Sequence, residues 1–230
     1  GKNSPCYLTR FADGTLLKTK TEFAYKVGSN YKYSPVIESI KTMTQEQIVL
    51  IDSLGFGHRL PLSLFPMDTP LTAVKAGAKL TAGSTFIGFC KDKAGTYDIG
   101  VSLATSQGSI KISKLEFPTR ETFPMISSEG NIISFDAKTI RVSGAAAGGV
   151  AGMKLKSDKD SIVAFGIVSN INDSVIISQT NKTIKATPFF EIPPKGIGGM
   201  GVILQSFIKG EGKIKEGFVG VNPILTIKGQ

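Results

Sequence analysis

Several residue types that often carry chemistry are rare in this sequence. It has no Trp, a single His (His58) and two Cys (Cys6 and Cys90) among 230 residues. Two cysteines are too few for a disulfide framework, and a single histidine excludes a His-rich metal site. We also find no nucleophile–histidine–carboxylate set, no Walker loop and no paired-cysteine zinc pattern. The sequence therefore predicts no catalytic residue, no cofactor site and no metal site.

Long apolar segments are also missing. The sequence has no apolar run of about 18 residues, which a membrane-spanning helix would need. Its first residues lack the apolar stretch of a signal peptide. Hydrophobic residues make up 41% and charged residues 20% of the chain, as in ordinary soluble domains. We expect a cytoplasmic protein without membrane contact, monomeric in isolation, with both cysteines as free thiols.

Arginine is scarce although the chain is basic. Only four of the 27 basic residues are arginines, and the net charge is +9. Base edges in the major groove of DNA are read mainly by bidentate arginine or amide side chains, whereas lysine acts as a point charge. A lysine-dominated surface therefore favours contacts with phosphates over reading of sequence.

The positive charge is concentrated near both ends of the chain. Residues 1–45 carry a net charge of +4 and residues 171–230 a net charge of +3. If the chain closes into a ring, these segments become neighbours and form one basic sector, which would suit a polyanion. A surface that serves only solubility is the other interpretation of this charge.

The most informative pattern is a repeated β-hairpin. In the segment 101–117, two alternating strands flank a turn at Gly108, where glycine can adopt the positive φ that a tight turn requires. A lone hairpin is marginally stable, so it must pack against further units. Related hairpins are centred on Gly14, Gly55, Gly130 and Asn181, and asparagine also tolerates a left-handed conformation. In chain order, and with Gly108 included, the five turn residues lie 41, 53, 22 and 51 residues apart in sequence. Such spacings are typical of a propeller or solenoid.

A second repeat lies outside the hairpins. The glycine-rich loops Gly144 to Val150 and Gly196 to Val202 have the same internal spacing. We predict a single all-β domain over 1–230, with about five four-stranded blades of which one is shortened. The predicted blades are 5–45, 46–98, the shortened 99–122, 123–173 and 174–230. The tail through Ile227 offers strand material that could close the ring beside the first unit.

These features resemble the C-terminal domain of the A subunit of bacterial type IIA topoisomerases, that is, DNA gyrase and topoisomerase IV. In that family a blade contains a strand, a Thr-x-x-Gly turn, a basic strand and a Gly-Arg-x-x-x-Gly-Val loop. The segment 103–111 matches the first part and 140–155 the second. The segment 185–211 is most similar to topoisomerase IV-like A subunits of actinobacteria.

The resemblance implies a β-pinwheel, a propeller-like ring of blades that exchange strands and bend duplex DNA around a basic rim. It implies that the parent enzyme is an ATP-dependent type II topoisomerase with a separate ATPase B subunit. The catalytic tyrosine and the ATPase would lie outside this chain, so the domain alone is not an enzyme.

Two departures from the family pattern bear on function. The gyrase A box, Gln-Arg-Arg-Gly-Gly-Lys-Gly, has no good match here, which favours decatenation and relaxation over gyrase-like supercoiling. Ala145 and Ile197 stand where the family loop has arginine, which puts strong DNA binding by the last two blades in question. We predict that DNA phosphates contact Lys18, Arg59, Lys111, Lys114, Arg141, Lys185 and Lys195. A propeller-type protein-interaction module is the alternative function.

Overall fold

The computed structural model describes residues 2–116, 120–142 and 148–221, and these residues are almost entirely β-structure. Within them the only helices are single 3₁₀ turns: η1 Leu62–Leu64, η2 Ala137–Thr139 and η3 Phe189–Glu191. The strands in chain order are β1 Pro5–Phe11, β2 Thr15–Thr19, β3 Val36–Met43, β4 Gln47–Asp52, β5 Phe56–Pro61, β6 Leu71–Thr72, β7 Phe86–Asp92, β8 Thr96–Thr105, β9 Gly108–Glu116, β10 Thr122–Ser127, β11 Asn131–Asp136, β12 Val150–Ala151, β13 Ile162–Phe165, β14 Val175–Gln179, β15 Ile184–Pro188, β16 Val202–Ile203 and β17 Glu216–Gly220. The prediction of an all-β protein is confirmed.

The strands form three four-stranded sheets, one three-stranded sheet and one hairpin. The orders are β3-β1-β2-β6 in sheet 1, β12-β5-β4-β7 in sheet 2, β13-β10-β11-β16 in sheet 3 and β15-β14-β17 in sheet 4. Strands β8 and β9 pair with each other, and no other described strand pairs with them. This hairpin, which we call the arm, is the shortened unit.

Neighbouring units exchange their outer strands. After each of the hairpins β4–β5, β10–β11 and β14–β15, the chain crosses to the preceding sheet and adds two residues to its outer edge. Strand β6 thus pairs with β2, β12 with β5 and β16 with β11. This exchange is the pinwheel feature that the resemblance implies, and the fold class is confirmed.

The turns were predicted in four cases out of five. Gly14, Gly55, Gly108 and Gly130 all have positive φ, between 86° and 129°. Asn181 does not, because the only described non-glycine residue with positive φ is Asp68. The Asn181 side chain instead accepts a hydrogen bond from the Gly212 N–H at 2.7 Å. The left-handed conformation suggested for Asn181 is therefore wrong.

Successive sheets bury their apolar faces against each other, as blades of a propeller do. Leu8 of sheet 1 and Ile48 of sheet 2 belong to one buried cluster, and Val49 of sheet 2 shares the next with Phe123 of sheet 3. Ile126 of sheet 3 packs in a third cluster with Ile176 of sheet 4. Alternating residues of a strand thus face different neighbours, which explains why the central strands are apolar on both sides.

The outer face of sheet 1 is covered by aromatic side chains. Phe23, Tyr31 and Tyr33 from the loop between β2 and β3 pack on Phe11, with ring centroids 5.8 to 6.0 Å apart. Among the described residues, no buried cluster joins sheet 4 to sheet 1. The loop thus supplies the burial that a neighbouring sheet supplies elsewhere.

Some predicted features lie outside the described residues. They are the first part of the glycine loop (144–147, including Ala145) and the closing strand after Val221. The blade boundaries also stay a prediction, since strand exchange separates each sheet from any single stretch of sequence.

Candidate nucleic-acid interface

One side of the molecule is built from the hairpin turns and the loops that cover them. The carbonyl oxygen of Gly55 in sheet 2 accepts hydrogen bonds from the N–H groups of Gly152 (2.9 Å) and Met153 (3.3 Å). The carbonyl oxygen of Gly130 in sheet 3 accepts one from Leu204 (2.8 Å) in the same way. Each turn and the loop leading into the next sheet therefore lie together. We call this side, formed by the turns 12–14, 53–55, 128–130 and 180–182 and the loops 73–85, 152–161 and 204–215, the turn side.

The turn side is rich in lysine. It carries nine lysines, all exposed: Lys75, Lys79, Lys154, Lys156, Lys159, Lys182, Lys209, Lys213 and Lys215. Its acidic residues are Asp13, Glu129, Asp158, Asp160 and Glu211. Each of the three loops contributes at least two lysines, so the positive charge continues from sheet to sheet.

Asp160 is buried and organises the second of these loops. Its carboxylate accepts hydrogen bonds from the Ser128 hydroxyl (3.0 Å) and from the N–H groups of Glu129 (3.0 Å) and Lys156 (3.1 Å). These donors compensate the negative charge locally. The loop is thus held against the hairpin turn, while the three lysines that precede Asp160 in the loop, Lys154, Lys156 and Lys159, are exposed to solvent.

Glu211 has a similar role in the third loop. It accepts hydrogen bonds from the hydroxyls of Thr180 (2.5 Å) and Thr183 (2.6 Å) and from the Ile208 N–H (3.0 Å). The Thr180 hydroxyl, followed by that of Thr183, lowers the pKa of Glu211, because both donate to the ionised form. The loop is thereby fixed to the last hairpin turn.

Two of the predicted DNA contacts are buried. Lys18 is 7% exposed, and its ammonium donates to the Leu62 carbonyl oxygen at 3.0 Å. Burial lowers the pKa of Lys18. Arg59 is 6% exposed; its Nη1 pairs with Asp92 at 2.8 Å and its Nη2 donates to the Ala137 carbonyl oxygen at 2.9 Å. The prediction that these two side chains contact phosphates is corrected: they tie adjacent units together.

Their sequence position explains the misassignment. Lys18, Arg59 and Lys185 each lie four residues beyond a turn residue. Lys185 also donates to a backbone carbonyl oxygen, that of Leu204, at 2.7 Å. A basic residue at this position donates to a carbonyl oxygen of a chain segment outside its own hairpin, which passes between sheets. The sequence of the hairpin does not show that such a segment will lie there.

The other predicted contacts are exposed but are not brought together. Lys111 and Lys114 lie on the arm. Arg141 follows η2, Lys185 lies on β15 and Lys195 follows η3. None of the nine turn-side lysines was among the predicted contacts, because they fall in irregular loops whose common side depends on the sheet packing. The clustering of lysines within 154–159 and 209–215 is the signal that could have revealed them.

The pH dependence of folding is expected to reflect Glu121. Burial, together with the neighbouring Asp92 carboxylate, raises the pKa of Glu121 from 4.5 to about 7. Because the pKa is higher in the folded state, the stabilisation is complete below pH 4.5 and is lost as the pH rises through about 7. We expect Glu121→Gln to flatten this decline in urea unfolding between about pH 5 and 8. The exposed Glu22→Gln serves as control, and an unchanged decline in Glu121→Gln would contradict the assignment.

The described residues contain no group of three or more His, Cys, Asp and Glu side chains that could hold a metal ion. Over the same part of the chain, no helix is long and apolar enough to cross a membrane. Burial raises the pKa of the Cys90 thiol, and Cys6 is buried with a raised pKa as well. Both changes disfavour reactive thiolates.

Comparison with known proteins gives matches in one family. Residues 125–169 match the family model described as DNA gyrase C-terminal domain, beta-propeller. An 87-residue stretch is 39% identical to topoisomerase subunit TopoM of Mycolicibacterium smegmatis and covers 38% of this chain. The same stretch covers 12% of that relative's length.

Two solved structures are similar over 95% of this chain. They are the C-terminal domain of DNA topoisomerase IV (TM-score 0.46, 14% identity, 78% of that chain covered) and the E. coli ParC C-terminal domain (TM-score 0.47, 13% identity, 99% covered). The sequence matches confirm the predicted resemblance: this chain is similar to the C-terminal domains of bacterial type IIA topoisomerase A subunits, most directly within residues 125–169.

Proposed function

We propose that this chain is a duplex-DNA-binding and DNA-bending domain of a bacterial type II topoisomerase A subunit. The observation that best supports the proposal is the set of nine exposed lysines on the turn side, contributed by loops of successive sheets. Lysine neutralises phosphates and releases condensed counterions without reading base edges. Binding is therefore independent of sequence and strongly dependent on salt.

Bending follows from the arrangement of the lysines. They are distributed over loops that belong to different sheets, and each sheet is rotated relative to its neighbours in a propeller. A duplex that follows the lysines from one loop to the next must curve, and the phosphate contacts offset the elastic cost of bending. We also propose the exposed Arg141 and Lys195 as phosphate contacts outside this path, since Arg141 follows η2 at the end of β11 opposite the turn 128–130.

The role of the parent enzyme is proposed from the resemblance. The catalytic tyrosine and the ATPase lie in other parts of that enzyme, so this domain determines which DNA segments are presented to them. Because the sequence has no gyrase A box, we propose decatenation and relaxation as the outcome. Duplex DNA, the rest of the A subunit and the ATPase B subunit are the partners, in the cytoplasm at the nucleoid.

The test is fluorescence anisotropy with a labelled duplex of about 30 base pairs, from about 50 to 200 mM salt. The variant replaces Lys156, Lys159, Lys209 and Lys215 with alanine. If each contacts one phosphate, the slope of log K against log salt falls by about 3 to 4 and the affinity at low salt falls at least about tenfold. Two duplexes of unrelated sequence should bind equally.

The matched control removes the same charge elsewhere. Lys2, Lys20, Lys41 and Lys138 are exposed, lie away from the turn side, and are replaced with alanine together. The control should change the affinity far less than the turn-side variant. Equal losses in both variants would contradict a specific track, and affinity independent of salt would contradict DNA binding through phosphates. The latter result would favour the protein-interaction module.

A further inference from the structure

The arm is the most isolated element of the structure. Residues 100–111 are all exposed, and half-buried side chains occur only nearer the base of the arm, among the described residues at Tyr97, Ile99 and Ile112. The base is attached to the turn between β3 and β4 through Gln45, which accepts a hydrogen bond from the Asp98 N–H (2.8 Å) and donates one to the Asp98 carbonyl oxygen (3.2 Å). The arm is therefore anchored at one end and projects into solvent.

The two faces of the arm differ in chemistry. Val101 pairs with Ile112 and Leu103 with Ile110, so these four apolar side chains share one face. Val101, Leu103 and Ile110 are 43%, 49% and 55% exposed. The opposite face carries small polar side chains and one lysine: Ser102, Ala104, Ser109, Lys111 and Ser113. A two-stranded hairpin with an exposed apolar face is marginal on its own, which indicates that the face is covered by a partner.

The charge of the projecting part of the arm indicates the kind of partner. Residues 99–115 contain Lys111 and Lys114 and no acidic residue, whereas the base of the arm carries Asp98, which is paired with Lys114 across the strands, and Glu116. The remaining polar groups are hydroxyls and one amide, which can donate to phosphate oxygens. At the tip the Thr105 hydroxyl donates to the Gly108 carbonyl oxygen at 2.8 Å, and the turn is therefore ordered. This composition complements a polyanion.

We propose that the arm enters the minor groove of duplex DNA. β-ribbons bind DNA in the major groove or in the minor groove. A ribbon that reads the major groove presents arginine or amide side chains to the base edges, whereas this face presents Val, Leu and Ile. Apolar side chains suit the minor groove, where they contact the sugars and wedge between base steps, and so bend the duplex. Lys111 and Lys114 then pair with the phosphates that border the groove.

The inference rests on the proposed function and adds a separate contact to the turn-side track. It predicts that the arm contributes to bending more than to the salt dependence of binding. The apolar pair near the tip, Leu103 and Ile110, is the proposed wedge. Both side chains are about half exposed, so replacing them should not alter the fold.

The experiment uses the full 230-residue chain and a duplex labelled at both ends, whose end-to-end distance reports bending by energy transfer. The variants are Leu103→Ser with Ile110→Ser, and Lys111→Gln with Lys114→Gln. Ile184→Ser, at a position 52% exposed on sheet 4, is the control. We expect the apolar variant to lose most of the bend and about five- to tenfold in affinity, since it loses the apolar contacts in the groove and the further contacts that the bend permits. The lysine variant should lower the salt slope by about 2, and distamycin, which binds the minor groove, should displace the wild-type arm.

The outcomes separate the two proposals. If the wild type binds through the turn-side lysines while both arm variants bend DNA normally and distamycin has no effect, the arm proposal is overturned and the proposed function stands. If the wild type binds no DNA, the proposed function fails first. If sedimentation shows that the arm variants abolish self-association while DNA binding is unchanged, the arm is a surface for a second copy of this chain, which also overturns the proposal.

Discussion

Replacing Arg59 with methionine is expected to lower the free energy of unfolding by about 3 to 5 kcal/mol, because it leaves the buried carboxylate of Asp92 without its partner. Asp92 is 7% exposed and its Oδ2 lies 2.8 Å from Nη1 of Arg59. The carbonyl oxygens of Ile140 (2.5 Å) and Ala137 (2.9 Å) also lose their donor. Urea unfolding followed by circular dichroism measures the loss.

Two further variants identify its cause. The double variant Arg59→Met with Asp92→Leu removes both charges, so it should be less destabilised than the sum of the single variants. Lys18→Met removes a buried ammonium that donates to one carbonyl oxygen, that of Leu62. Because this change does not leave a buried carboxylate without a cation, Lys18→Met should lower the free energy of unfolding less than Arg59→Met does. If Arg59→Met is as stable as the wild type, the hydrogen bonds from Arg59 to Ala137 and Ile140 do not stabilise the contact between sheet 2 and sheet 3.

Gly55→Ala is expected to destabilise the protein severely, whereas Gly14→Ala is expected to be mild. Both glycines occupy the same turn position and have similar φ angles, 96° and 86°. A Cβ atom at Gly55 would lie 2.6 Å from the Met153 carbonyl oxygen, whereas nothing lies within 4 Å of one at Gly14. The left-handed conformation costs an alanine about 1 kcal/mol or more at either position.

The difference between the two variants therefore measures the contact between a turn and the loop of the next sheet. We expect Gly55→Ala to lose at least about 2 kcal/mol more than Gly14→Ala, because the turn must move and weaken its hydrogen bonds to Gly152 and Met153. Thermal and urea unfolding of both variants provide the measurement. Equal losses would mean that the turn tolerates displacement, and the close packing of the turn side would be contradicted.

Much of the fold could be predicted from local patterns. The short apolar strands on either side of Gly14, Gly55 and Gly130 predict hairpins, since both strand pairing and a positive-φ turn depend on residues close in sequence. Asn181 shows the limit of such reasoning. Asparagine permits a left-handed turn but does not require one, and here the hydroxyls of Thr180 and Thr183 provide another way to close the turn.

For the candidate interface, the sequence predicts the chemistry of the contacts but not the residues that make them. The excess of lysine over arginine by itself indicates that nucleic-acid contacts of the basic side chains would favour phosphates over base edges, because that preference depends on side-chain chemistry alone. Which lysines are available depends on the tertiary structure. Lys18 and Lys185 occupy the same position after their turns, yet the first is buried and the second exposed.

The amino-acid sequence by itself determined the β-hairpins, their repetition and the positive charge of this protein, since each depends on neighbouring residues or on composition. The tertiary structure decided which strands are exchanged, which basic side chains are enclosed and which loops share a side. The physical reason is that these properties arise between units: a crossing segment from one unit supplies the carbonyl groups that enclose Lys18 and Arg59 of another. Neither hairpin contains that information on its own.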